Sequence, residues 1–511
     1  MTAPGPALNA VDWSVLGGYL LAMLGMGAYF ARRQKNLGEY FLAGNRIPVW
    51  AAAISIVATS VSAVTFIGAP EDAYRGNLTY LSLNIAGFIA VALVAIFFVP
   101  VFYREKVTSI YQLIGARFGP GAQRWCSGAF MLGRVLASGA RLYVAAVPFS
   151  LIAFGDLDPS NLALAIAVVA TVATLYTMIG GLHAVIWTEV PQTVVFVGAA
   201  AVALALLVSR IPLSGAEMHA ALASAKASDG SSKLTVLDWR LDASLPYSVW
   251  SAMLGFTLFN MAVYGADQDL AQRMLTCRSA VRGAWSAVLS NIIGLGVAAM
   301  FLAIGLLLYL FYQRPDLMGG AAPAPPGDSR TVFLRFILSE TPTGLRGLMI
   351  AGVFAAAMSS LASAVAAMAS TAVVDFYRPL RPGRSEAHYM RASRIAVGAW
   401  GAILAAFALV CVAWQQNSGA GLLQFAIGVM IFAYTGLLGV FLTALFTRRG
   451  NGLSAGLAIF AGFAAVLVMR FPAWFSLELP ALSSGWQMLI GSALAFAVCA
   501  AGRPTPSGAR A

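Results

Sequence analysis

Long apolar runs recur from one end of the chain to the other. Each is roughly 20 residues long, the length that an α-helix needs to cross the hydrocarbon core of a membrane. Because backbone groups that face lipid must be satisfied within their own segment, such a chain folds as a bundle of helices. Of the 511 residues, 60% are hydrophobic and only 10% are charged, against about 25% charged residues in soluble domains. The sequence therefore predicts an all-α integral membrane protein.

Hydropathy predicts about 13 transmembrane helices. The apolar runs lie at 10–31, 48–69, 78–103, 125–154, 160–180, 184–209, 248–271, 284–312, 345–374, 393–415, 421–446, 453–471 and 484–502. With the N-terminus outside, about 20 Lys and Arg residues fall in cytoplasmic loops and about 10 in outer loops, in agreement with the positive-inside rule. We therefore expect an inner-membrane protein with its N-terminus outside and its C-terminus inside. The net charge of +12 then reflects membrane topology, not a nucleic-acid partner.

Residue patterns typical of enzymes are missing from the sequence. The four cysteines are far apart and form no C-x-x-C motif, and the three histidines form no H-E-x-x-H motif. We expect no enzymatic activity, no organic cofactor and no obligate protein partner. A membrane enzyme, a passive channel or a sensor that does not transport is a remote alternative.

Small and hydroxyl-bearing residues form a stripe in the run at 345–374. Ala356, Ser359, Ser360 and Ser363 are spaced i, i+3, i+4 and i+7, which places them on one face of a helix. Two such hydroxyls can supply part of a sodium shell when an unwound partner helix contributes free carbonyls. The alternative is that these small residues only allow close helix packing, with hydroxyls bonded to their own backbone.

Two other runs carry the residues expected of interrupted helices. The run at 48–69 has a hydroxyl-rich centre followed by Gly68 and Pro70, and the run at 248–271 carries Asn260 and Gly265. Two interrupted helices five spans apart fit a five-plus-five inverted repeat. We expect one transmembrane domain over 1–511. It comprises an additional N-terminal helix at 10–31, a first repeat at 48–209, a second repeat at 248–446 and two C-terminal helices at 453–502.

Four segments resemble the sodium:solute symporter family, which includes sodium-coupled galactose, sialic acid, proline, iodide and monocarboxylate carriers. They are SAVTFIGAPEDAYR at 62–75, YTMIGGLHAVIWTEVPQ at 176–192, GADQDLAQRML at 265–275 and AAAMSSLASAVA at 355–366. The resemblance implies a leucine-transporter-type fold. It also implies that a sodium gradient drives import of a small organic solute by alternating access, with Na⁺ as the coupling ion. Proton coupling is a remote alternative.

The resemblance also implies which residues bind sodium. The family's site combines two backbone carbonyls on the first interrupted helix, aligned here with Ala58 and Val61, with an Ala-x-x-Ser-Ser motif that matches Ala356, Ser359 and Ser360.

Some relatives carry a second sodium on an acidic residue and further serines. Glu189 and Ser363 align with part of that set, but Ala362 stands where a further serine is expected. Glu189 is also one methylene longer than the family's Asp. The alternatives for Glu189 are that it lowers the electrostatic potential at the first sodium site, or that it lies in a cytoplasmic vestibule.

The expected solute-binding residues come from the same comparison. Ser62 and Thr65 match sialic acid carriers, Asn84 replaces a similar amide, and Asn260 is retained from galactose carriers. Most other sugar-binding positions are changed, which disfavours a sugar.

Two arginines lie near the position of the sialic acid carriers' carboxylate-binding arginine, which aligns with Ala137. Arg134 and Arg141 lie one turn to either side of it, and Arg141 is halfway along its apolar run. An arginine at that depth requires an anion, a solute carboxylate or a carboxylate of the protein. The alternative for Arg141 is that it pairs with a fixed acid or with helix carbonyls. The sequence therefore favours a carboxylate-bearing solute, with a sugar, polyol or amino acid as the alternative.

Overall fold

The computed structural model describes residues 8–31, 37–319, 325–418 and 422–504, and these residues form helices joined by loops. Within them, β-structure is limited to two isolated bridges, Lys226–Ser232 and Asp238–Ser248. The α-helices are α1 (Ala10–Ala31), α2 (Leu37–Leu42), α3 (Val49–Ser60), α4 (Ala69–Arg75), α5 (Leu81–Leu93), α6 (Val99–Arg104), α7 (Tyr111–Phe118), α8 (Pro120–Ala153), α9 (Pro159–Arg210), α10 (Gly215–Ser224), α11 (Thr257–Met261), α12 (Gln268–Leu275), α13 (Ala280–Gln313), α14 (Val332–Glu340), α15 (Leu345–Thr371), α16 (Arg378–Leu380), α17 (Glu386–Ser418), α18 (Leu422–Phe446), α19 (Gly452–Arg470) and α20 (Ser484–Ala501). Short π-helical segments at Val64–Gly68, Val94–Phe98, Ser251–Phe256, Ala262–Ala266 and Ala372–Tyr377, and 3₁₀ turns at Ala43–Asn45, Pro315–Leu317, Ser329–Thr331 and Pro472–Phe475, complete the helical structure of these residues.

Ten helices of the described residues are long and apolar enough to cross a membrane. A bent pair, at 37–45 and 49–60, would add an eleventh span if it crosses as one unit. The longest helix, α9, has 52 residues and is kinked at Gly181, where φ is 56°. The runs predicted at 160–180 and 184–209 lie on either side of this kink. The prediction of an all-helical, multi-pass membrane protein is confirmed.

The first interrupted helix lies where the hydroxyl-rich run predicted it. Helix α3 ends at Ser60, and Val61 is extended, with φ −84° and ψ 105°. Helical structure resumes as the π-helical segment Val64–Gly68 and continues as α4. Regular helical structure is therefore interrupted at Val61 and Ser62, both of which are buried.

The second interruption lies slightly further along the chain than the sequence indicated. Asn260 is inside helical structure, where its Nδ2 donates to Phe256 O at 3.0 Å. The chain becomes extended only at Asp267, with φ −106° and ψ 120°, and α12 follows. The Asp267 side chain accepts from Asp269 N at 2.8 Å and so caps the new helix. A capping carboxylate, rather than Asn260 or Gly265, therefore sets this break.

Helix α15, which carries the predicted hydroxyl stripe, is almost entirely buried. It packs against α1, α8, α9 and α17. A Cβ added at Gly352 would lie 2.7 Å from the Cβ of Ala199 on α9, so the missing side chain permits this close approach.

Helix α1 holds the N-terminus of α15. Asp12 is fully buried, and its Oδ1 accepts from Gly344 N at 2.8 Å and Gly347 N at 3.0 Å. A carboxylate at a helix N-terminus satisfies free amide groups and interacts favourably with the helix dipole. The first helix of the described residues thereby fixes the N-terminal end of the helix that carries Ser359 and Ser360.

Candidate functional site

The residues expected to bind sodium meet where the first interrupted helix packs on α15. Ser359 Oγ donates to Ala58 O at 2.8 Å, although the two residues are 301 positions apart. Ser359 Oγ and Ser360 Oγ each also lie 3.2 Å from Ala356 O. Val61 is the extended residue directly after α3. The arrangement is a buried group of neutral oxygens, the type of ligand that a hard cation binds.

Glu189 and Ser363 are also neighbours, but Arg273 contacts both. Arg273 Nη2 lies 3.0 Å from Glu189 Oε1 and donates to Ser363 Oγ, which in turn donates to Glu189 Oε1. Ser55 Oγ donates to Glu189 Oε2 and accepts from Arg273 Nε at 2.9 Å. All four side chains are fully buried. Both oxygens of the Glu189 carboxylate are therefore already hydrogen-bonded.

Arg273 also contacts further charged side chains. Together they form one buried cluster, which we call the charge cluster (Glu189, Arg273, Asp269, Arg134 and Asp267). Arg273 Nη1 donates to Asp269 Oδ1 at 2.7 Å. Arg134 Nη2 lies 2.8 Å from Asp267 Oδ2 and 3.0 Å from Asp269 Oδ2. Arg134 is thus paired with two acids of the protein, one of the alternatives that the sequence left open. The charged side chains of α12 were the sequence signal for this cluster.

Arg141 differs from the other two arginines. It lines a central cavity of about 130 Å³ beside the break in the first interrupted helix. Its Nη1 donates to Thr59 O at 3.3 Å and its Nη2 lies 3.6 Å from Met430 Sδ. No carboxylate in the described part of the chain forms an ion pair with it. A half-buried guanidinium that lines a cavity without a carboxylate partner is a candidate binding site for an anion.

The other expected solute-binding residues, Ser62, Thr65, Asn84 and Asn260, line the same cavity. Asn260 Nδ2 already donates to Leu83 O at 3.2 Å and to Phe256 O at 3.0 Å. Ser62 Oγ accepts from Val64 N at 3.3 Å, so it also caps the helix that follows the break.

The polar side chains of this cavity that sequence reasoning missed include Tyr434 and Asn291. The Tyr434 hydroxyl donates to Asp267 Oδ2 at 2.5 Å and so joins the cavity wall to the charge cluster. The exposed fraction of Asn291 is 8%, so this residue is buried. A single amide within the apolar run at 284–312 was the signal that could have identified it.

A second cavity, of about 210 Å³, lies beside α4, the C-terminal half of the first interrupted helix. Glu71, Asp72 and Tyr247 line it, and Leu423 lines both this cavity and the central one. Glu71 Oε2 accepts from Leu422 N at 3.1 Å, which fixes α4 against the first residue of α18. The start of α18, fixed to α4 in this way, forms part of the wall of both cavities through Leu423.

Comparisons with known proteins identify relatives of this chain. The model of the sodium:solute symporter family matches residues 40–462. The sodium/sialic acid symporter SiaT of Proteus mirabilis is 30% identical over 90% of this chain and 90% of its own length. The human sodium/iodide cotransporter is 29% identical over 90% of this chain and 70% of its own. The solved structure of a substrate-bound, outward-open sodium-coupled sialic acid symporter superposes with a TM-score of 0.83 at 27% identity, covering 96% of this chain and 97% of the other.

Proposed function

This chain belongs to the sodium:solute symporter family, and we propose that it imports a small carboxylate-bearing solute together with sodium by alternating access. Members of this family are transporters, not enzymes. The observation that carries the choice of solute is Arg141, a guanidinium that lines the central cavity and pairs with no carboxylate of the described residues. A solute carboxylate would supply the missing anion and two charge-assisted hydrogen bonds.

Uptake by the purified protein in proteoliposomes tests this function. We expect uptake of carboxylates to require an inward sodium gradient. Arg141→Gln should weaken uptake by about 10- to 100-fold because a charge-assisted hydrogen bond is lost, while Arg141→Lys should retain part of the affinity. Uptake without sodium contradicts the coupling. Uptake of neutral sugars that is insensitive to Arg141→Gln would instead support the sugar alternative.

The proposed sodium ligands are the carbonyls of Ala58 and Val61 and the residues Ala356, Ser359 and Ser360. Support comes from the direct hydrogen bond between Ser359 Oγ and Ala58 O, which brings a hydroxyl of α15 to the carbonyls at the break. Sodium would take the place of this hydrogen bond and be coordinated by both oxygens.

Serine variants measured at limiting sodium test these ligands. Ser359→Ala and Ser360→Ala should raise the sodium concentration for half-maximal uptake by about tenfold or more, since each removes an ion ligand. Ser370→Ala, about 15 Å further along α15, is the matched control and should leave the sodium dependence unchanged. An unchanged sodium dependence in Ser360→Ala contradicts the assignment.

The contacts of Arg273 favour one coupling ion over two. Its guanidinium touches both Glu189 and Ser363, the residues expected at a second sodium position, and already neutralises the carboxylate. Sodium-dependent uptake should then follow a Hill coefficient near 1. A coefficient near 2 would support the second sodium at Glu189 and Ser363.

For topology we propose 13 spans, with the N-terminus outside and the C-terminus inside the inner membrane. The nine long helices other than α9, the two runs within α9 and the two interrupted helices add up to this number. The proposed repeats are 48–209 and 248–446, flanked by an additional helix at 10–31 and two helices at 453–502. Ser244 and Ser385 lie in exposed loops that this topology places on opposite sides. A membrane-impermeant maleimide on intact cells should label Ser244→Cys and not Ser385→Cys. The reverse labelling would mean that the orientation is opposite to the one proposed.

A further inference from the structure

Asn291 on α13 is a buried amide in the wall of the central cavity. Its Nδ2 has no hydrogen-bond partner among the described residues. Leaving a buried donor unpaired costs free energy, and most buried polar groups in folded proteins are paired. An apolar side chain of similar size would pack here without that cost, so packing alone does not account for an asparagine.

The neighbouring helix leaves room for this amide. A Cβ added at Gly87 on α5 would lie 2.6 Å from Asn291 Oδ1, so the carboxamide occupies space that the glycine leaves open. By contrast, Ser286, which also lies on α13, donates its hydroxyl back to Gly283 O at 2.6 Å and needs no further partner.

The other two amides of the cavity already use their donors within the protein. Asn260 Nδ2 donates to two backbone carbonyls, and Asn84 Nδ2 lies 3.4 Å from Tyr80 O one turn earlier in its own helix. Among the three amides that line this cavity, Asn291 is therefore the one whose Nδ2 has no hydrogen-bond partner within the described residues.

We propose that Asn291 determines specificity by donating a hydrogen bond to a second oxygen of the solute, whose carboxylate is held by Arg141. This inference rests on the proposed function. It narrows the solute to carboxylates that also carry a hydroxyl, keto or amide oxygen. A site built to hydrogen-bond such an oxygen discriminates against the analogue that lacks it, because the buried donor is then left unpaired.

Paired solutes in the proteoliposome assay test this role. Competition by lactate is compared with propionate, 3-hydroxybutyrate with butyrate, and N-acetylneuraminate with its deoxy analogues. The wild-type protein should prefer the oxygen-bearing member of at least one pair by about 10- to 100-fold. Asn291→Ala should reduce that preference to about twofold or less and leave uptake of the deoxy member sodium-dependent.

Two further variants separate recognition from folding. Asn291→Ser keeps a small polar side chain and should show an intermediate preference, and Ser286→Ala, the matched control, should keep the wild-type preference. A preference that survives in Asn291→Ala, or sodium-driven carboxylate uptake without preference in any pair, overturns the role of Asn291 and leaves the proposed function intact. Absence of sodium-driven uptake of any carboxylate overturns both.

Discussion

The charge cluster can be tested by removing the guanidinium that joins its parts. In Arg273→Met, Glu189 would keep only the hydroxyls of Ser55 and Ser363, while Asp269 would still lie 3.0 Å from Arg134 Nη2. The main penalty is therefore one buried carboxylate left without a cation. Breaking a buried ion pair in this way costs about 3–5 kcal/mol.

This penalty can be expressed as a melting temperature. An unfolding entropy of about 2.1 cal/mol/K per residue, applied to 511 residues, gives about 1 kcal/mol per degree. Arg273→Met should therefore lower the melting temperature of the detergent-solubilised protein by about 3–5 °C. Arg104→Met is the control, because the Arg104 side chain is largely exposed in its ion pair with Glu105 and such pairs contribute about 0–1 kcal/mol.

A double variant identifies the cause of the loss. Glu189→Gln in the Arg273→Met background removes the unpaired charge and keeps a side chain that the two serines can hydrogen-bond. It should recover about 1–3 kcal/mol relative to the sum of the single variants. Additive effects, with a coupling below about 0.5 kcal/mol, would refute the view that Arg273 acts by neutralising Glu189.

Three further predictions concern the surroundings of the site. Asp12→Ala leaves two amide groups at the start of α15 unpaired and should lower the stability by about 1–3 kcal/mol; an unchanged melting temperature contradicts this. Gly87→Ala displaces the Asn291 amide, so solute affinity should fall about tenfold with little loss of melting temperature, and unchanged affinity contradicts it. Burial lowers the pKa of Lys233, in the loop that follows α10, to about 8. Between pH 8 and about 10.4 the unfolded chain therefore binds more protons than the folded one. Over this range the stability of the wild-type protein relative to Lys233→Met should rise with pH by up to about 3 kcal/mol, measured as a growing difference in melting temperature. A difference in melting temperature that stays constant with pH refutes this.

The sequence could predict the features that depend on local pattern. Hydroxyls followed by Gly68 and Pro70 indicated an interruption, and the extended residue is Val61. At the second interruption the pattern was ambiguous, because Asn260 in an apolar run is compatible both with a break and with a cavity-lining side chain. The structure shows the second of these, with the break at Asp267.

Long-range packing could not be predicted in the same way. Asp269 and Arg273 are four residues apart, and from sequence they form a local ion pair at a helix end. That pair exists, at 2.7 Å. The other side of the same guanidinium reaches Glu189, 84 residues earlier in the chain. This contact depends on how α12, α9 and α15 pack together. No local periodicity in the sequence specifies that packing.

Thr59 explains how ion and solute binding are coupled in the proposed mechanism. Its carbonyl accepts from Arg141, its hydroxyl lies 3.1 Å from Ser363 Oγ, and the carbonyl directly before it, that of Ala58, accepts from Ser359. Consecutive carbonyls in the last turn of α3, just before the break, thus face the solute arginine and the ion serines. Sodium that fixes the Ala58 carbonyl would restrict the adjacent peptide unit, whose carbonyl contacts Arg141, so the ion would order the solute site. By thermodynamic linkage, the solute must raise the affinity for sodium by the same factor.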